Sequence, residues 1–240
     1  MSETKFTFKR TEKKYLLSAE QYEQLWQRME PYMEPDDYPV SLVCSLYYDT
    51  EDYRLIRHSI ERPVYKEKLR LRSYSVPGPE DLVFVELKKK FKGVVYKRRV
   101  SMSAQEAEAW LDQGRHPARD SQMIREIDWV LQSLRPKARV YLACDRLAWR
   151  AKEDPELRIT FDLDIRWRQE DLSLCAGDRG ESLLAPGEVL MEIKVPEAAP
   201  LWLAHLLSEL GIFPVSFSKY GTCYKEHILK EYIFGGSIHA

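Results

Sequence analysis

The sequence predicts an α+β fold: a closed eight-stranded antiparallel β-tunnel with helices packed on its outside. Three observations lead there. Eight segments with strand composition recur along the 240 residues. Helix signals fall between some of them without strict βαβ alternation, which favours an antiparallel sheet. Six of the strand segments also repeat one arrangement, a charged face backed by an apolar one. Eight strands suffice to hold a small ligand when such a sheet closes, the charged face then lining the lumen.

The strands are expected near residues 5–15, 41–49, 64–74, 82–91, 94–101, 138–149, 157–165 and 188–195. Ser18 with Gln21 forms a capping box for a helix over 19–30, and Ser103 with Glu106 does the same for 104–112. Ile124, Ile127, Val130, Leu131 and Leu134 follow helical spacing within 119–134. A further helix is expected over 199–210 and a last one from about Ser218, with Tyr220, Tyr224 and Ile228 on one face to brace an end of the barrel. The turn VPGPED at 76–81 joins two strands as a hairpin. No linker, repeat or low-complexity stretch interrupts the chain, so 1–240 is read as a single domain.

Composition narrows the classes. Hydrophobic residues make up 44% and charged residues 31%, ordinary for a soluble domain. The formal charge of -1 is compatible with a basic site balanced by an acidic exterior. Cys44, Cys144, Cys175 and Cys223 are scattered without a CxxC pair, which argues against a zinc site and fits a reducing, cytoplasmic location. The N-terminal stretch lacks an apolar core and no run of 18 apolar residues occurs, so neither export nor membrane insertion is expected.

The alternation carries the chemistry. Arg10, Glu12 and Lys14 share a face of the first strand, and Lys66, Lys68, Arg70 and Arg72 share one on the third. Glu86, Lys88 and Lys90 follow on the fourth, Lys97 and Arg99 on the fifth. Arg158, Thr160, Asp162 and Asp164 line the seventh, and Glu192 and Lys194 the eighth. A solvated antiparallel face also alternates, but it normally mixes neutral polar residues with charges of both signs. KLRLR, ELKKK and YKRR instead stack cations that repel at cross-strand spacing unless an anion lies between them. Arginine offers two-pronged contacts to phosphate oxygens and lysine a point charge. Arg10, Lys68, Lys97, Arg99 and Lys194 are therefore candidate phosphate-binding residues. Glu12, Glu86 and Glu192 are candidate ligands for Mg²⁺ or Mn²⁺ bridging phosphates. Nucleic acid is not expected as a partner, because the cations lie along strands with little aromatic interleaving and no recognition motif. None of the five histidines is expected in catalysis.

In order and spacing, FKRTEKKY, SLYYDTEDY, EKLRLRSY, VFVELKKK, VVYKRR, YLACDRLAW, LRITFDLD, VLMEIKV and FSKY resemble the triphosphate tunnel metalloenzymes, also called CYTH-like. The resemblance is nearest to the catalytic domain of the vacuolar transporter chaperone (VTC) family, the polyphosphate polymerases. It implies that Lys14, Arg70, Arg72, Lys88, Arg146, Arg158 and Lys219 act on the phosphates in catalysis, with Lys97 among the phosphate-binding cations. It implies that Glu192 holds the metal and that Ser216, where the family carries a second lysine, makes a weaker phosphate contact. ATP and polyphosphate or triphosphate are the implied substrates, and a membrane-bound protein is a conceivable partner. No oligomeric state is specified.

Hydrolases of the same fold are associated with Glu-x-Glu pairs on the first and last strands. Here those strands read Glu12-Lys13-Lys14 and Glu192-Ile193-Lys194, with lysine at the second carboxylate position in both. That exchange favours transfer between bound phosphates over attack by metal-activated water. The alternatives are a triphosphate or nucleoside triphosphate hydrolase and a non-catalytic polyphosphate-binding module.

Overall fold

The structure is a computed structural model that describes residues 11–196 and 198–230. Its strands are β1 (Thr11–Leu17), β2 (Met33–Asp49), β3 (Tyr65–Ser73), β4 (Leu82–Phe91), β5 (Val94–Ser103), β6 (Lys137–Ala151), β7 (Arg158–Arg168), β8 (Glu181–Ser182) and β9 (Val189–Val195). Its helices are α1 (Ala19–Met29), α2 (Arg54–Ile60), α3 (Ala104–Gln113), α4 (Gln122–Leu134), α5 (Leu201–Glu209) and α6 (Lys219–Cys223), the last continuing as a π-helical turn through Ile228. The α+β class is as expected.

Most local signals act as read. The Ser18–Gln21 capping box is complete in both directions, whereas at Ser103 the structure shows one half of the expected box, the hydroxyl accepting the Glu106 N–H. In VPGPED the Asp81 carboxylate accepts the Gly78 N–H at 2.8 Å, closing the turn. Two elements depart from expectation. β2 begins at Met33, eight residues before the predicted start, because cross-strand pairing overrides the weak strand propensity of its Pro- and Asp-rich first half. Helix α2 has no sequence signature because its N-cap, Tyr53, is left-handed at φ 57 and supplies no side-chain cap.

The strands form one nine-stranded antiparallel sheet with the order β1-β9-β7-β6-β2-β3-β4-β5, and β8 pairs with β7. Two expectations are corrected. The sheet has nine strands rather than eight, because the chain after β7 folds back to add the two-residue β8. Among the described residues its hydrogen-bonded path ends at β1 and β5 without joining them, so it is not a closed barrel.

The chain divides into two compact units. Among the described residues the first comprises 11–41, 145–165, 184–196 and 198–217, the second 42–144, 166–183 and 218–230. In the first unit Leu17, Leu25, Ile159, Phe161, Met191 and Leu203 centre a core under α1 and α5. In the second, Leu69, Leu71, Val83, Val85 and Leu87 pack against Trp110, Ile124 and Ile127 of α3 and α4. Leu69 and Leu71 of β3 and Val83, Val85 and Leu87 of β4 are fully buried, each contributing about 1.5–3 kcal/mol. Burial of that face fixes the register and turns the intervening cations onto the other side. No helix among the described residues is long and apolar enough to cross a membrane.

Candidate functional site: two cationic strand faces

In the second unit the register lines the cations up in rows. Lys68, Lys88 and Lys97 stand directly opposite one another on β3, β4 and β5, and Arg70, Glu86 and Arg99 form the next row. Glu86 is 1% exposed and ringed by cations. Arg70 Nε donates to its Oε2 at 2.7 Å and Arg99 Nε to its Oε1 at 2.6 Å. Lys97 Nζ lies 2.8 Å from Oε1, and Arg72 Nε 4.0 Å from Oε2. Four cations around one carboxylate leave a local excess of three positive charges. Burial alone would raise the Glu86 pKa, but Arg70, Arg72 and Lys97 outweigh it and hold the carboxyl far below its usual range. Burial and Arg70 together lower the Arg72 pKa, with only partial relief from Glu86.

β2 adds groups that the sequence reading did not single out. Tyr47 pairs in register with Arg70, and Ser45 with Arg72. Arg70 Nη1 donates to Tyr47 Oη at 3.2 Å, and Arg72 Nε to Ser45 Oγ at 3.3 Å. Burial pushes the Tyr47 phenol up, yet Arg70, Arg72 and Lys68 bring it down to about 7. Period two in SLYYD carried the signal, since Ser45 and Tyr47 alternate with the buried Leu46. From β4 and the loop after β3, Phe84 and Tyr74 flank Arg99, whose Cζ lies 4.5 Å from the Phe84 ring centre. Arg99 Nη2 also donates to Tyr74 Oη at 2.9 Å.

Lys219 opens α6. The hydroxyl of its N-cap, Ser218, accepts from Lys68 Nζ at 2.9 Å, tying the helix start to the lysine row. Tyr220 and Asp49 anchor the helix. The Asp49 carboxylate, fully buried, accepts the Tyr220 hydroxyl at 2.8 Å and the N–H groups of Thr50, Leu55 and Ile56. Asp49 thus caps α2 through the N–H groups of Leu55 and Ile56 and braces α6 through Tyr220. Tyr220, Tyr224 and Ile228 are buried together as their spacing required.

In the first unit β1, β9 and β7 form a second charged face. Glu12, Lys194 and Arg158 make one row, and Lys14, Glu192 and Thr160 the next. Glu192 Oε1 lies 2.7 Å from Lys194 Nζ and Oε2 lies 3.7 Å from Lys14 Nζ. Burial would raise the Glu192 pKa; Lys194, Lys14 and Arg146 reverse that and draw it down to about 2. Arg146 grips Asp162 with two contacts, Nε–Oδ1 at 2.6 Å and Nη2–Oδ2 at 2.8 Å. The β7–β9 pairing ends at Asp162, and Asp164, farther along β7, is left-handed at φ 44, so only Arg158, Thr160 and Asp162 of the predicted face lie against β9. Arg158 is paired with Asp36 at 3.3 Å, and Ser216 is exposed in the segment after α5. Arg10 lies outside the described residues.

The predicted metal ligands differ in fitness. Among the described residues no three His, Cys, Asp or Glu side chains converge as a protein-only metal site. Glu86 is already saturated by guanidinium and ammonium groups. Glu192 and Glu12 lie diagonally on one face of β9 and β1, and one or two carboxylates completed by phosphate oxygens and water are what Mg²⁺ or Mn²⁺ takes in phosphoryl-transfer sites.

No curated protein matches the chain in sequence. Among solved structures, a candidate adenylate cyclase from Bacillus halodurans is 17% identical with a TM-score of 0.54, covering 86% of this chain and 92% of its own. A candidate adenylate cyclase from Vibrio parahaemolyticus is 12% identical (TM-score 0.46, 92% and 97% covered). The PH1819 protein of Pyrococcus horikoshii is 13% identical (TM-score 0.42, 92% and 99% covered). The first shares the fold. The VTC domain family matches residues 9–228, a span that takes in both charged faces and every described candidate residue, and this chain belongs to that family.

Proposed function

We propose that the chain is a polyphosphate polymerase that transfers the γ-phosphate of cytosolic ATP to the end of a polyphosphate chain. The observation that carries this reading is the lysine at the second carboxylate position of both β1 and β9. Glu192 is flanked by Lys14 and Lys194 where a second carboxylate would serve a metal-activated water. The rows Lys68–Lys88–Lys97 and Arg70–Glu86–Arg99 supply several cations side by side for the successive charges of a phosphate chain.

The acceptor is a terminal phosphate oxygen, ionised before it reacts. It forms a bond to the γ-phosphorus while the bond from that phosphorus to the β,γ-bridging oxygen breaks, and ADP leaves with the electron pair. No proton must be removed, so the residues' work is alignment and charge neutralisation. Arg70, Arg72, Arg99, Lys68, Lys88, Lys97 and Lys219 bind phosphate oxygens in the second unit, and Lys14, Arg146, Arg158 and Lys194 do so in the first. Glu86 holds the guanidinium groups apart at fixed spacing. A divalent ion, held by Glu192 with Glu12 beside it, supplies further charge neutralisation at the reacting phosphates when bound.

Incubating the purified chain with ATP and Mn²⁺ and resolving the products tests the proposal. Polyphosphate chains are expected. Orthophosphate alone would make the chain a hydrolase, and unchanged ATP a binding module. Glu192→Gln should reduce chain formation about a hundredfold or more while leaving tripolyphosphate binding within about threefold. A fully active variant would overturn the metal assignment.

A further inference from the structure

The β4–β5 hairpin ends in a tip unlike an ordinary surface turn. Its two central residues, Lys92 and Gly93, are both left-handed at φ 46 and 86, the conformation of a tight two-residue turn. Polar residues usually surround such a turn. Here Phe91 and Val94 face each other across it, with Tyr65 beside Phe91 in the same row. The Lys92 N–H donates to the Val64 carbonyl at 3.0 Å, which brings Val64 to the tip as well. Val64 is 64% exposed, Val94 52%, Val95 49%, Phe91 and Tyr96 44% and Tyr65 40%. No core requires these side chains.

Charge surrounds them. Residues 88–99, KKKFKGVVYKRR, hold seven cations and no carboxylate. Lys92 Nζ lies 5.5 Å from the Phe91 ring centre. Two carboxylates of neighbouring elements are engaged: Glu67 accepts the Tyr65 hydroxyl at 2.7 Å, and Glu126 takes Lys89 and Arg98.

We infer that this hairpin tip is a docking element for a bilayer surface carrying anionic lipids. Phe91, Val94 and Val64 enter the acyl boundary, Tyr65 and Tyr96 sit at headgroup level, and Lys90 and Lys92 reach lipid phosphates. Anionic headgroups attract each nearby lysine within a Debye length. A protein partner fits less well, since a stable interface buries about 800 Å² on each side and a two-stranded tip presents only a narrow wedge. A lipid interface needs only that wedge with cations around it.

The test is co-sedimentation of the full chain with vesicles of phosphatidylcholine, alone or mixed with phosphatidylserine. Binding is expected to the mixed vesicles only and to weaken as salt is raised. Phe91→Ser with Val94→Ser removes the apolar wedge and touches none of the phosphate-binding rows. Its partition coefficient should fall about tenfold or more, while its melting temperature and tripolyphosphate affinity stay at the wild-type values. Excess tripolyphosphate, which occupies the cationic faces, should leave wild-type vesicle binding within about threefold. The inference is overturned if mixed vesicles do not bind, if tripolyphosphate abolishes binding, or if the double variant binds like wild type. It is equally overturned if the tip proves to join two copies of the chain, seen as a dimer that the double variant dissolves.

Discussion

Replacing Glu86 by glutamine tests whether the cationic rows of β3, β4 and β5 are built to receive an anion. The substitution keeps the side chain's shape and removes its charge. Each cation within about 4 Å of the carboxylate is worth about 4 kcal/mol gross at an effective dielectric of ~20. Desolvation cancels most of that, and removing one member of a buried pair typically costs about 3–5 kcal/mol net. Lys97 and Arg99 are 45% and 33% exposed and so contribute least, which places the loss near the lower end, about 3 kcal/mol. For a chain of this length that corresponds to roughly 6–12 °C in melting temperature.

The same charge removal makes the rows a stronger anion trap. Tripolyphosphate in a phosphate-less buffer should therefore raise the variant's melting temperature more than the wild type's. Thermal unfolding by circular dichroism, with and without tripolyphosphate, reads both effects. The sign of the pH dependence is fixed by the depressed Glu86 pKa. A carboxylate depressed in the folded state contributes fully above its unfolded value of about 4.3 and loses that contribution as pH falls toward the folded value. The gap between wild type and Glu86→Gln should hold from about pH 8 to 5 and narrow progressively below about pH 4 as the pH falls toward the folded value. A variant that melts within about 2 °C of wild type, or that gains no more from tripolyphosphate, would refute the reasoning.

Two further outcomes are expected. Without bound anion, a phenol should ionise near pH 7 in the wild type and be missing from Tyr47→Phe, since Tyr47 is brought down to about 7 by Arg70, Arg72 and Lys68 against burial. Because this acid's folded pKa lies below its unfolded one, wild type should gain stability over Tyr47→Phe as pH rises from about 7 to 10, and tripolyphosphate should move the transition upward. Phenolate absorbance identical in the two proteins would reject it. Asp162→Asn should cost about 3 kcal/mol in urea unfolding, because Asp162 is 1% exposed and holds Arg146 by two charge-assisted contacts. Arg146→Lys, which keeps the charge but loses the fork, should cost less, and a neutral result for Asp162→Asn would show that the pair is not structural.

The sequence by itself determined which side chains share a strand face. Period two in KLRLR, ELKKK and YKRR is a consequence of backbone geometry, so Lys68, Arg70, Arg72, Lys88, Lys97 and Arg99 could be grouped without coordinates. The helix starts at Ser18 and Ser103 were equally local, because each cap hydroxyl reaches an N–H three residues on. Helix α2 escaped notice because its cap, Asp49, acts from six and seven residues away through a buried carboxylate that also holds Tyr220, 171 residues later. Register was decided only in three dimensions. Alternation cannot say that Glu86 stands between Arg70 and Arg99, which changes it from a metal ligand into the counter-charge of an arginine cluster. Nor can it place Tyr47 beside Arg70, or choose Asp162 as the bidentate partner of Arg146. Whether the sheet closes was also beyond the sequence. Closure depends on strand tilt and stagger accumulated over the whole sheet, and no stretch of residues encodes that locally.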